Sequence, residues 1–181
     1  MNLTETDLAG AYLVDLQRHE DERGFFARAF CEREFAERGL VTRYPQCNIS
    51  YNRRARTLRG MHYQAAPHRE AKLVRCIAGA IHDVVVDLRE GSPTRLRWIG
   101  VELDARARRA LYVPPGCAHG FLTLADDSEV YYQMGAFHVP EAARGVRWDD
   151  PAFGVRWPLE PALISERDRS YPDFDPGRFD G

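Results

Sequence analysis

The run Lys72-Leu73-Val74-Arg75-Cys76-Ile77-Ala78-Gly79-Ala80-Ile81-His82-Asp83-Val84-Val85-Val86-Asp87-Leu88 decides the fold class. Residues 72–78 and 80–88 are two apolar segments of strand length, hinged at Gly79, and locally they predict a β-hairpin. Val84-Val85-Val86 is β-branched throughout, which suits a pleated strand. Without polar alternation, it predicts burial on both faces.

Outward from this run the signals stay mostly β. Residues 10–16 alternate weakly and predict an edge strand. Asp21-Glu22-Arg23-Gly24 predicts a turn and 25–30 a strand. Residues 31–39, rich in Glu, Arg, Ala and Phe, predict one short helix stopping at Gly39. Further strands are expected near 45–51, 57–64, 97–103, 110–113, 120–124 and 129–139. The segment from Trp148 is proline-rich and predicts irregular chain packed on the domain. About nine short strands, one N-terminal helix and no repeated crossover helices predict an all-β sandwich or barrel, with a jelly roll foremost. Residues 1–181 are expected to form one such domain.

The composition excludes several classes. Net charge is −2 and the pI near 6.3, so no basic field for nucleic acid exists, although local arginine clusters can hold phosphate. No apolar run is long enough for a transmembrane helix, and residues 1–7 lack the pattern of a signal peptide, so a cytoplasmic location is expected. Cys31, Cys47, Cys76 and Cys117 form no C-x-x-C pair and read as small buried side chains.

Chemistry-bearing residues gather elsewhere. Leu58-Arg59-Gly60-Met61-His62-Tyr63-Gln64 carries polar and aromatic residues where a plain core strand would have Val and Ile. Alternation places Leu58, Gly60, His62 and Gln64 on one face, with Gly60 leaving room for a ligand before His62. Arg59 falls on the opposite face, and bringing it into the same pocket requires a bulge at Gly60. Lys72 is the only lysine beside twenty-four arginines. A compact ammonium that can titrate does what a guanidinium fork cannot. Lys72 is therefore read as sharing a pocket with His62 for proton chemistry. Tyr132 alternates with Val130 and Met134 and faces the core or a cavity in it. Asp83 and Asp87 share one face of an apolar strand, where ionised groups need partners, and arginines are expected. Asp168 is placed to orient a histidine. Pro114 to Phe121 resembles the second motif of metal-binding cupins, which supplies one His ligand. The earlier H-x-H…E group is missing, so a metal site would need His62, His68, His82 and His119 to supply three ligands in space.

Several segments, in order along nearly the whole chain, resemble the 3,5-epimerase family acting on nucleotide-linked 4-keto-6-deoxy sugars, typified by dTDP-4-dehydrorhamnose 3,5-epimerase. They are residues 21–26, 46–50, 58–64, 72–74, 83–93, 115–124, 147–151 and 165–168. The resemblance implies a metal-free, cofactor-free, cupin-type jelly roll (a double-stranded β-helix), usually a homodimer, with a nucleotide-diphosphate sugar as substrate. It makes His62 the base, polarised by Asp168, Lys72 the partner of the enolate oxygen, and Tyr132 the acid on the opposite sugar face. It places Arg23, Phe26, Gln46, Asn48, Arg59 and His119 against substrate, with Arg23 and Arg28 reaching a neighbouring subunit's site. The departures gather at nucleotide-contacting positions: Arg28 replaces a family Glu, His138 a Tyr that stacks on thymine, Ala143 a Glu, and Arg167 a Lys. Altered or relaxed base preference follows as an expectation.

The chemistry fits these residues independently. A C4 ketone acidifies the C–H bonds at C3 and C5. A base near neutral pKa takes one proton, a fixed cation holds the enolate, and an acid on the other face returns a proton. Two other classes stay open: a metal-dependent cupin enzyme and a non-catalytic sugar-binding jelly roll.

Overall fold

The computed structural model describes residues 1–178. Its strands are β1 (Asn2–Glu5), β2 (Tyr12–Asp15), β3 (Arg18–Asp21), β4 (Gly24–Ala27), β5 (Gln46–Asn52), β6 (Thr57–Gln64), β7 (Lys72–Ala78), β8 (Ala80–Asp87), β9 (Trp98–Asp104), β10 (Ala110–Val113), β11 (Cys117–Thr123), β12 (Ser128–Met134), β13 (Ala143–Gly145) and β14 (Leu163–Ile164). The expected short helix is α1 (Glu32–Ala36), and α2 (Glu166–Arg169) is an addition within the segment read as irregular. One sheet runs β1-β2-β10-β7-β12-β5 and the other β13-β6-β11-β8-β9, with β14 added parallel to β6. β3 and β4 form a separate hairpin. This is the jelly roll expected. Residues 10–16 do not supply the edge, because β1 pairs outside β2.

The interior between the sheets joins Val74, Cys76, Leu111, Val113 and Val130 of the first to Ile81, Val85, Leu103, Cys117 and Phe121 of the second. Val84 and Val86 point to the other face, under Val146, Phe153, Val155 and Trp157 of the later chain. The three valines are fully buried, as the unbroken β-branched run predicts, at roughly 1.5–3 kcal/mol each. Cys76 and Cys117 fit the expected burial, whereas Cys31 is half-buried and Cys47 exposed on the edge strand β5.

Residues 72–88 correct the hairpin reading. β7 pairs with β10 and β12, while β8 pairs with β9 and β11, so Gly79 turns the chain from one sheet into the other. Its φ is +68°, and a Cβ there would stand 2.3 Å from Ser128 Oγ, the hydroxyl that bonds both Ala80 N and Ala80 O.

Asp87 behaves as expected. Burial would raise its pKa, but hydrogen bonds from Arg89, Ser92 and Thr94 outweigh burial and hold it at about 2. Asp83 does not meet an arginine. Its Oδ1 lies 2.7 Å from His119 Nε2.

Candidate active site

β6 carries the centre of the site, and its geometry depends on one irregularity. His62 stands opposite His119, yet Arg59 stands opposite Phe121, so β6 holds one residue more than β11 across this interval. This is the bulge that Arg59 required. It turns Arg59, Leu58, His62 and Gln64 toward one cavity while Met61 packs into the core on the other face. Gly60 acts differently from the expectation. Its φ is +122°, and a Cβ would lie 2.6 Å from Gly120 Cα and 2.9 Å from His119 O. The missing side chain lets β6 and β11 approach, and leaves no extra room before His62.

The cavity, about 660 Å³, opens between the sheets. Of the thirteen candidates, nine line it: Asn48, Arg59, His62, Lys72, His119, Tyr132, His138, Arg167 and Asp168. Gln46 sits beside the rim, where its Oε1 accepts from His138 N at 3.1 Å and its Nε2 donates to Asn48. Arg23, Phe26 and Arg28 lie elsewhere. Arg23 pairs with Asp21 on the β3–β4 hairpin, Phe26 is 77% exposed there, and Arg28 pairs with Glu34.

His62 Nε2 lies 2.6 Å from Asp168 Oδ1, which leaves Nδ1 to take a proton. Asp168 is brought in by β14, which pairs with β6, and by α2, whose first turn is capped when Ser165 Oγ accepts from Asp168 N. Its other oxygen accepts from Gly60 N at 3.2 Å. Burial alone would raise the Asp168 pKa. The hydrogen bond and charge of His62, with the Gly60 and Ser165 bonds, reverse this and hold it below its ordinary value.

Lys72 is buried, and its Nζ donates to His62 O at 3.0 Å, so the expected shared pocket exists. Tyr132 comes from the facing sheet, its ring 6.0 Å from that of His119. Burial pushes the phenol well above its ordinary value, Asp83 adds to this, and Arg59 opposes it. Tyr132 is therefore protonated at neutral pH. Arg59 is braced by Asn52 Oδ1 at 2.6 Å. Arg167 donates to the Tyr171 hydroxyl, and the Tyr171 ring stands edge-on to His62 at 6.4 Å.

Sequence reading passed over Glu70 and Tyr171. Glu70 pairs with Lys72, yet a carboxylate before a strand reads as solvated loop. For Tyr171 the absent signal is its fit over Gly145, where a Cβ would collide with its ring. His68 lies in an exposed loop and His82 on the face under Trp157, so the four histidines do not assemble. Among the described residues no three His, Cys, Asp or Glu side chains come together as metal ligands.

The sequence profile of dTDP-4-dehydrorhamnose 3,5-epimerase matches residues 5–176. The enzyme of that name from Methanothermobacter thermautotrophicus is 44% identical over 170 residues, covering 92% of this chain and 91% of the relative. Among solved structures, dTDP-4-dehydrorhamnose 3,5-epimerase from Elizabethkingia anophelis NUHP1 superposes with a TM-score of 0.93 at 37% identity, covering 96% of each chain. ChmJ, a 3'-monoepimerase from Streptomyces bikiniensis solved with dTDP-quinovose, superposes with a TM-score of 0.82 at 35% identity, covering 93% of this chain and 85% of that one.

Proposed function

We propose that this chain, which belongs to the dTDP-4-dehydrorhamnose 3,5-epimerase family, inverts C3 and C5 of a nucleotide-linked 4-keto-6-deoxy sugar as one jelly-roll domain. It is an isomerase-class nucleotide-sugar epimerase of deoxysugar biosynthesis. The observation that supports the chemistry most is the convergence of the His62–Asp168 pair, Lys72 and Tyr132 on one cavity from facing sheets.

His62 Nδ1 takes the proton from the carbon next to the ketone. The C–H electron pair moves into the ring and onto the C4 oxygen, giving an enolate. Asp168 stabilises the imidazolium that forms. Lys72 carries a fixed positive charge toward the enolate oxygen, where it acts in a water-poor site. Tyr132, held as the phenol, gives its proton to the opposite face, and Arg59 favours the phenolate left behind. The proton on His62 returns to solvent and Tyr132 regains one, so nothing is oxidised or reduced. His119, held by Asp83, and Asn48 place the sugar. Arg59 and Arg167 suit the diphosphate, and His138 at the mouth suits the base.

A homodimer completes the reading. Arg23, Phe26 and Arg28 are exposed on or beside the hairpin and away from their own cavity, as groups serving a second copy would be. The cytoplasm, where nucleotide sugars are made, is the compartment this assignment implies.

The deciding experiment is proton NMR of dTDP-4-keto-6-deoxyglucose with enzyme in D₂O. Both H3 and H5 disappear, and His62→Ala abolishes the loss. Loss of one signal makes the enzyme a single-centre epimerase, a reading favoured by the similarity to a 3'-monoepimerase. Retention of both, with dTDP-, GDP- and CDP-linked ketosugars alike, overturns the proposal in favour of a sugar-binding module.

A further inference from the structure

Glu70 is a buried carboxylate that the reaction above does not use. It precedes β7, is 8% exposed, and has both oxygens engaged. Oε1 lies 3.3 Å from Lys72 Nζ. Oε2 accepts from Gln64 Nε2 at 3.0 Å. Gln64 is itself buried, and its amide has only one consistent orientation. Its Oε1 accepts from Val139 N at 2.7 Å, and a backbone N–H can meet only the oxygen. Nε2 therefore faces three acceptors: Glu70 Oε2, His68 O and Phe137 O. Phe137 and Val139 flank His138, which lines the cavity mouth and whose own N–H is held by Gln46.

We propose that Glu70 is the positioning residue of the reaction's cation. It holds Lys72 Nζ beneath the sugar and, through Gln64, ties that point to the 137–139 loop at the nucleotide end. The inference rests on the assignment of Lys72 to the developing enolate. Both members of the Glu70–Lys72 pair are 7% exposed at their side chains, so water screens them little. Removal of one partner leaves an uncompensated buried charge. Without Glu70, the bond to His62 O is what fixes the ammonium among the described residues, and a carbonyl neutralises no charge. A cation preset before substrate arrives needs no reorganisation when the enolate forms. The same carboxylate transmits occupancy of the mouth: a base pressing on the 137–139 loop bears on Gln64, and Gln64 on Glu70.

The single lysine makes the test direct. Labelling with [ε-15N]lysine gives one side-chain ammonium resonance, that of Lys72. In the wild type this resonance shows ammonium protons protected from exchange, and nucleoside diphosphate binding shifts it. In Glu70→Gln, which keeps the shape and loses the charge, the protection is lost. The same variant loses about 100-fold in kcat for C–H exchange, as a misplaced catalytic group does. KM stays within about threefold, since the lost interaction is made in the transition state. Glu70→Asp recovers part of the rate. Wild-type kcat in Glu70→Gln with an unchanged resonance overturns the inference. Should Glu70→Gln fail to fold, the wild-type resonance decides: a rapidly exchanging signal, indifferent to nucleotide, also overturns it. A wild type that exchanges no substrate proton counts against the proposed function instead, and leaves the resonance to report on Glu70.

Discussion

His62 Nε2 and Asp168 Oδ1 meet at 2.6 Å, although one sits on a central strand and the other on a four-residue helix far along the chain. Asp168 fixes which imidazole nitrogen faces substrate. Asp168→Asn leaves the shape and removes the charge, and kcat will fall on the order of 10,000-fold, as for other histidine bases deprived of their carboxylate. The folded protein holds Asp168 below its ordinary 3.8, so the unfolded chain binds this proton more readily. The stability it contributes is complete above about pH 4 and is lost as pH falls through the lower folded value. Thermal unfolding of both proteins from pH 7 down to pH 2 checks this: the gap in Tm closes below pH 4.

Gly60→Ala tests the approach of β6 to β11. The new Cβ meets backbone atoms of Gly120 and His119 at a φ of +122°, where L side chains are strained. Backbone cannot swing aside as a flexible side chain can. Urea unfolding will show a loss on the order of 3 kcal/mol, and the bulge that aims Arg59 and His62 will be disturbed with it.

His138 tests nucleotide preference. An imidazole at the cavity mouth offers less stacking surface than a phenol ring. His138→Ala will raise KM for the nucleotide sugar about tenfold and leave kcat nearly unchanged, because the contact is remote from the reacting carbons. Calorimetry of the wild type with dTDP, GDP and CDP will give affinities within about tenfold of one another, a gap worth 1.4 kcal/mol. A strong preference for dTDP would show that His138, with Arg28 and Ala143, leaves base selection intact.

The residues show how far local pattern reaches. The burial of Val84, Val85 and Val86 was legible because β-branching and the absence of alternation are local properties. The bulge at Gly60 was legible too, since alternation alone could not bring Arg59 to His62. The partners of β7 and β8 were not, because a glycine between two strands serves a hairpin or a sheet corner equally well. β1 and β3 are short and mostly polar and β14 is only Leu163 and Ile164, so they are strands through pairing rather than through hydrophobic pattern. Glu70 was missed for a related reason: its burial follows from the cover supplied by Gln64 and Lys72, which no neighbouring residue announces.

The pairing of β14 with β6 orders events in time. Among the described residues, none of the strands that line the site pairs with its neighbour in sequence, and β6 waits for β11, β13 and β14. Such non-local closure makes folding slow relative to chains rich in local contacts. On the ribosome, β6 leaves the tunnel long before residues 163–168 exist. His62 then has no carboxylate beside it, so every nascent chain is inert, and catalytic competence arrives as the closing act of folding.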